Sequence, residues 1–255
     1  MFVWLFIGVL GIAFIIGAAR EQRRLRVISN AATVRCADVA GRATATDGLC
    51  EVAGTTEPGP DGVLEAPLSG LPCVWYRVRI LDRPRQRFGG NFVRLATPVL
   101  DVSSPAAFGL RDGSGRVRVV PENAHVEAGR PALVETEPVV LVDGEPEPGT
   151  FGGSARPVLG PEVRLRPGGR YKYHEWLLPP GSPVYVLGRA ALDPETGEPV
   201  IRRPESGPFL IGAGTEAEVV ARIRRNVLRA YGCGGVMVVV TFGILITNVT
   251  LLLLD

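Results

Sequence analysis

The chain has 255 residues, with 28 basic against 26 acidic side chains and a formal net charge of +2. That balance excludes the basic footprint of a nucleic-acid-binding protein. Four cysteines without paired spacing and two histidines exclude a disulfide framework and a zinc module. The single lysine, Lys172, among 28 basic residues reflects genomic composition, as in a GC-rich bacterium, rather than function.

The chain opens on residues 2–19, FVWLFIGVLGIAFIIGAA, which carry no charge. A helix crosses a bilayer core with roughly 20 apolar residues and at least about 17, so residues 1–19 are expected to form a transmembrane helix. Gly17-Ala18-Ala19 resembles a signal cleavage site, but a signal peptide carries its positive charge before the apolar core. Here Arg20, Arg23, Arg24 and Arg26 follow it, which favours a retained anchor. Residues 20–47 read as a juxtamembrane segment that extends the first helix and then becomes rich in alanine. Residues 51–56 read as a short strand and residues 57–62 as a Pro/Gly loop.

The next stretch, residues 64–80, is LEAPLSGLPCVWYRVRI. A Pro/Ser/Gly turn precedes a run of period two. Val74, Tyr76, Val78 and Ile80 fall on one side; Cys73, Trp75, Arg77 and Arg79 fall on the other. Trp75 is expected to cover the edge of the core, with the two arginines in water. Residues 82–91 form a loop, and residues 92–96 and 99–102 continue the short-strand rhythm. Residues 107–120 make the clearest hairpin, with Asp112-Gly113-Ser114-Gly115 at its tip. Residues 125–127 and 132–142 add further β pieces. Residues 144–169, dense in Pro and Gly, are expected to be a flexible loop. A turn at residues 179–182, a strand at 184–190, a hairpin tip at 195–198 and a short strand at 208–211 follow. Many short strands with Gly/Pro turns argue a mainly β domain, a small barrel or sandwich. Tyr76, Val78, Val117, Val119, Val184 and Val186 are its expected core.

Residues 213–229 read as an amphipathic juxtamembrane helix. Thr215 and Glu218 can form a capping box, and Val219, Ile223 and Val227 make an apolar stripe. Arg222, Arg224, Arg225 and Arg229 remain polar and can meet anionic headgroups. Residues 230–254, again uncharged, are expected to be a second transmembrane helix. Arginines flank both spans on the side of the middle domain. The positive-inside rule therefore places that domain in the cytoplasm and both termini outside, in an integral protein of a bacterial cell membrane.

No catalytic constellation is legible. His174-Glu175 is not a zinc-protease motif, because the positions after it are Trp176, Leu177 and Leu178. His125 stands alone. There is no nucleophile elbow, phosphate loop or dinucleotide fingerprint, and Ser69 has no evident base. The expected catalytic, cofactor-binding and metal residues are therefore none, and no cofactor or small-molecule substrate is implied.

Four stretches in order carry a resemblance: LEAPLSGLPCVWYRV, FGLRDGSGRVRVVPENAHVE, YHEWLLPPGSPVYVLGRA and GPFLIG. Together they resemble the GIDE domain over residues 48–212. That domain is the beside-a-membrane (BAM) module of a mitochondrial membrane-anchored ubiquitin ligase family with bacterial and archaeal relatives. The bracketing spans fit the family layout. In the eukaryotic relatives a zinc-binding RING domain follows the second span and recruits the ubiquitin-conjugating enzyme. Its paired zinc sites need more Cys and His ligands than this chain's four cysteines and two histidines. The resemblance thus implies a module that binds partner proteins beside the bilayer, a scaffold rather than an enzyme. Two other expectations stand beside it: a ubiquitin-ligase-like factor that borrows a catalytic part from another chain, and an accessory to a membrane protease in envelope quality control.

Overall fold

The computed structural model describes residues 32–215, apart from 46–47, 84–85, 89–90, 94–95, 128–130, 139–140, 143–144, 148, 160–162 and 164, together with scattered helical positions within 13–19 and 217–243. The chain divides into two units, one of residues 33–215 and one of residues 1–32 with 216–255. The first therefore begins earlier than the expected boundary at residue 48. In the second, the described positions between 217 and 229 are helical, with Val227 buried and Arg224, Arg225 and Arg229 exposed. Among the described residues no helix is long and apolar enough to cross a membrane. Most of the two expected spans, 1–19 and 230–254, lies outside the described residues.

The two main sheets of this unit contain eleven strands of three or more residues. They are β1 (Leu49–Glu57), β2 (Trp75–Asp82), β3 (Thr97–Ser103), β4 (Phe108–Asp112), β5 (Gly115–Val119), β6 (His125–Glu127), β7 (Leu133–Pro138), β8 (Arg170–Leu178), β9 (Pro183–Leu192), β10 (Pro199–Arg202) and β11 (Leu210–Ala213). Five of them close on themselves. β1 pairs with β4, β4 with β5, β5 runs parallel to β10, and β10 returns through β9 to β1. This is the connectivity of an OB-type Greek-key barrel. Its interior takes the alternate apolar residues of each strand: Val52, Leu110, Val117, Val119, Val186 and Ile201 are all buried. β9 is the long strand of the set. One side pairs with β1 from Pro183 to Arg189, while the other pairs first with β11 and then with β10. Gly188 sits between those two pairings, where a Cβ would meet Ile201 at 2.7 Å and Phe209 at 2.9 Å.

The strands between the barrel strands form a second, four-stranded sheet in the order β7-β8-β2-β3, antiparallel throughout. β2 and β3 come from the connection after β1, and β7 and β8 from the connection after β5. The inner face of this sheet buries Val78, Ile80, Leu100, Tyr171 and Tyr173. The segment expected to be a flexible loop, 144–169, contributes here. It contains a short helix (Phe151–Ser154) and a 3-10 turn (Arg156–Val158), and places Ala155 and Leu165 in this second core.

Five of the six expected core residues, Val78, Val117, Val119, Val184 and Val186, are buried, whereas Tyr76 is only half-buried. Trp75 is buried at 2% exposure rather than at the edge of the core. A bend at Val74 separates the two-residue strand Pro72–Cys73 from β2. Val74 and Trp75 both join the barrel core, against which Ala124 and Val126 also pack, and the run meets the second core at the half-buried Tyr76 and enters it at Val78. Unbroken alternation could not have placed two successive residues in one core.

Candidate functional site

The turn in residues 66–70 has a specific anchor. Gly70 N–H donates to the Ala66 carbonyl and Ala66 N–H to the Leu71 carbonyl, each at 2.9 Å. The carboxylate of Glu175, wholly buried on β8, accepts from the amides of Leu68 at 2.8 Å and Ser69 at 3.0 Å. In His174-Glu175, the acid therefore points inward to hold the Pro/Ser/Gly turn, and Ser69 is a turn residue.

His174 falls on the opposite face of the same sheet, with Lys172 and Trp176. Register across four strands sets Val134, His174, Arg79 and Asp101 in one row, and Trp176, Arg77 and Ser103 in the next. Asp101 accepts from both arginines. Arg77 donates from Nε at 2.7 Å and Nη2 at 2.8 Å, and Arg79 from Nε at 2.9 Å and Nη2 at 2.6 Å. Both guanidinium groups lie over the Trp176 ring, 5.9 and 5.8 Å from its centroid. His174 stacks on the same indole at 5.5 Å.

The electrostatics follow from this packing. Burial alone would raise the Asp101 carboxyl, but the hydrogen bonds and charges of Arg77 and Arg79 outweigh it and hold it below the usual range. Burial, then Lys172 and Arg79, push His174 down from the ordinary imidazole value, so its neutral form is favoured. Its Nε2 is buried and has no hydrogen-bond partner among the described residues. Beside this face lies a hollow of about 310 Å³ lined by Trp75, Arg77, Asp101, Ser103 and His125, among others. Trp75 Nε1 is a second buried, unpartnered polar atom.

A larger hollow of about 620 Å³ lies on the barrel, between Gly59-Pro60, β4–β5 and the β9–β10 turn. OB-type barrels bind ligands on the corresponding surface, but fold alone assigns no function. Here the charges are already matched within the protein. Arg116 pairs with Glu57 at 3.3 Å, Arg111 pairs with the same carboxylate, and Arg118 pairs with Asp193 at 3.1 Å and Glu198 at 3.3 Å.

Cys36 and Cys73 are buried, and burial first, with the nearby Asp112 and Glu175 charges adding to it, pushes both thiols up to about 11, far from a reactive thiolate. Among the described residues no group of three or more His, Cys, Asp and Glu stands close enough to hold a metal ion. The sequence alternation sets Cys73, Trp75, Arg77 and Arg79 on one strand face. It misses Asp101, Trp176 and His174, which join only through the register of three strands drawn from two separate connections.

A closed barrel bearing an appended sheet with a clamped arginine pair defines a mainly β domain. The chain belongs to the GIDE family, described as E3 ubiquitin ligase, whose family model matches residues 84–245. The match covers β3 to β11 and continues beyond the main unit into the expected second span. Comparison with curated proteins and with solved structures finds no match.

Proposed function

We propose that this protein is a two-span membrane protein whose GIDE domain faces the cytoplasm and binds another protein beside the bilayer. The observation that carries the binding role is the outer face of the β7-β8-β2-β3 sheet, where two arginines are held ready over Trp176 by a single carboxylate. The anchors are supported by the uncharged residues 2–19 and 230–254 and by the arginines that flank both. The test is a photo-crosslinking amino acid in place of Val134, which is 44% exposed in the His174–Arg79 row, in the full chain in its native membrane. A protein adduct is expected; adducts to lipid alone would refute the reading. Reporters at Gly149 and after Asp255 should read cytoplasmic and external respectively.

The family description favours one second reading: a ligase factor that presents clients to a catalytic domain on another chain. It predicts that the same crosslink captures proteins that become modified with ubiquitin or a ubiquitin-like protein.

A further inference from the structure

We propose that the outer face of the four-stranded sheet takes an extended acidic protein segment with carboxylates at alternate residues. The proposal rests on the binding role given above and specifies the partner's chemistry.

The charge on this face is unequal. Among the described residues, Arg77, Arg79 and Lys172 stand on it against one acid, Asp101. The spacing is regular. Arg77 and Arg79 are successive same-face residues of β2, and Lys172 pairs across to Leu81, the next same-face position. The three cations thus occupy three consecutive rows, about 7 Å apart at the rise of a strand. An extended peptide presents every second side chain at that same repeat. Three acids at i, i+2 and i+4 would meet the rows together, while three consecutive acids would turn the middle one away.

The arginines are also prepared for a second carboxylate. Asp101 engages Nε and Nη2 of each guanidinium, leaving Nη1 of each without a protein partner among the described residues. Clamped by Asp101 and laid on Trp176, they have little side-chain freedom left to lose on binding. Their side chains are 31% and 37% exposed. Held flat in this way, they do not extend as basic side chains do to meet a lipid surface. Trp176, covered by both guanidinium groups and by His174, leaves no open ring on which a nucleobase could stack.

The test uses the full chain in phosphatidylcholine nanodiscs and two labelled peptides of identical composition, read by fluorescence anisotropy. One carries three glutamates at alternate positions, the other three consecutive glutamates. The alternating peptide should bind at least about fivefold tighter, and the double variant Arg77→Gln/Arg79→Gln should weaken it about tenfold or more. Lys172→Gln, outside the clamped cluster, should weaken it about threefold. Arg79→Glu should prefer a peptide whose central glutamate is replaced by lysine. Equal affinity for the two wild-type peptides would overturn the proposal without depending on any variant's folding. So would adsorption to phosphatidylglycerol vesicles, lost in the double variant, when neither peptide binds. If the Val134 crosslink still captures a protein while both peptides fail, the acidic-segment proposal falls and the binding role stands.

Discussion

Glu175 connects two parts of the chain that are far apart in sequence, and its value can be measured at one position. Glu175→Ala would leave the amides of Leu68 and Ser69 without their acceptor in a buried site. Each such loss costs about 1–3 kcal/mol. A destabilisation of about 2–4 kcal/mol is expected in urea unfolding, with Glu175→Gln, which keeps one oxygen acceptor, losing about half. Asp112 acts similarly at the hairpin tip. It accepts from the amides of Ser114 at 2.7 Å and Gly115 at 3.1 Å, and from Cys36 N at 2.9 Å at the start of the 3-10 turn Cys36–Asp38. Burial opposes its ionisation, but the Ser114 hydroxyl and these amides prevail and take its carboxyl down to about 2. That stabilisation is complete above the ordinary value of 3.8 and is lost as pH falls through about 2. Asp112→Ala should cost about 1 kcal/mol at neutral pH and flatten the acid limb of the unfolding curve. His174 has the depressed value, so its folded form binds fewer protons than its unfolded form. Its effect is to weaken the fold as pH falls through 6.5 toward the lower folded value. His174→Gln should remove that part of the slope in thermal melts between about pH 7 and 5.

At the scale of strands, two glycines on the neighbouring barrel strands β1 and β4 should respond very differently. A Cβ on Gly54 of β1 would sit 2.3 Å from the Arg111 carbonyl oxygen of β4, so two barrel strands would have to part. On Gly109 the nearest atom is Arg116 Nε at 2.6 Å, the end of a side chain that can swing away. Gly54→Ala should therefore cost about 3 kcal/mol and Gly109→Ala less than about 1, measured by denaturant midpoints. These elements also show what was legible beforehand. Val117 and Val119 lie in a hairpin whose tip residues and alternation are both local, and the sequence places them correctly in the core. Arg77 and Arg79 could be set together on one face for the same reason. Asp101, Trp176 and His174 could not be added, because cross-strand register depends on which connections fold together, and no local pattern carries that. Trp75 defeated the alternation because the chain bends at Val74, which no local pattern announces, and turns Val74 and Trp75 into the same core. The Pro/Gly-rich residues 144–169 gave no period, yet Ala155 and Leu165 supply apolar bulk to the second core.

At the scale of the molecule, residues 33–215 hold both cores within one unit. A fragment spanning residues 32–215 should therefore melt cooperatively without the terminal segments, as followed by circular dichroism. Its barrel is closed by a contact between distant parts of the chain. β1 meets β9, and the Tyr185 hydroxyl donates to the buried Glu51 carboxylate across 134 residues of sequence. Loop closure of that length must precede any reward from the pairing. Refolding should accordingly be slow for the chain's size, in the range of milliseconds to seconds. On a ribosome the order of events is stricter still. β1, β4 and β5 emerge well before β9, so the nascent chain carries open strand edges until the last third has been made. A chain stopped at residue 182 should be an unclosed, dye-binding and aggregation-prone ribbon instead of a smaller barrel, which makes the timing of synthesis part of how this domain stays safe.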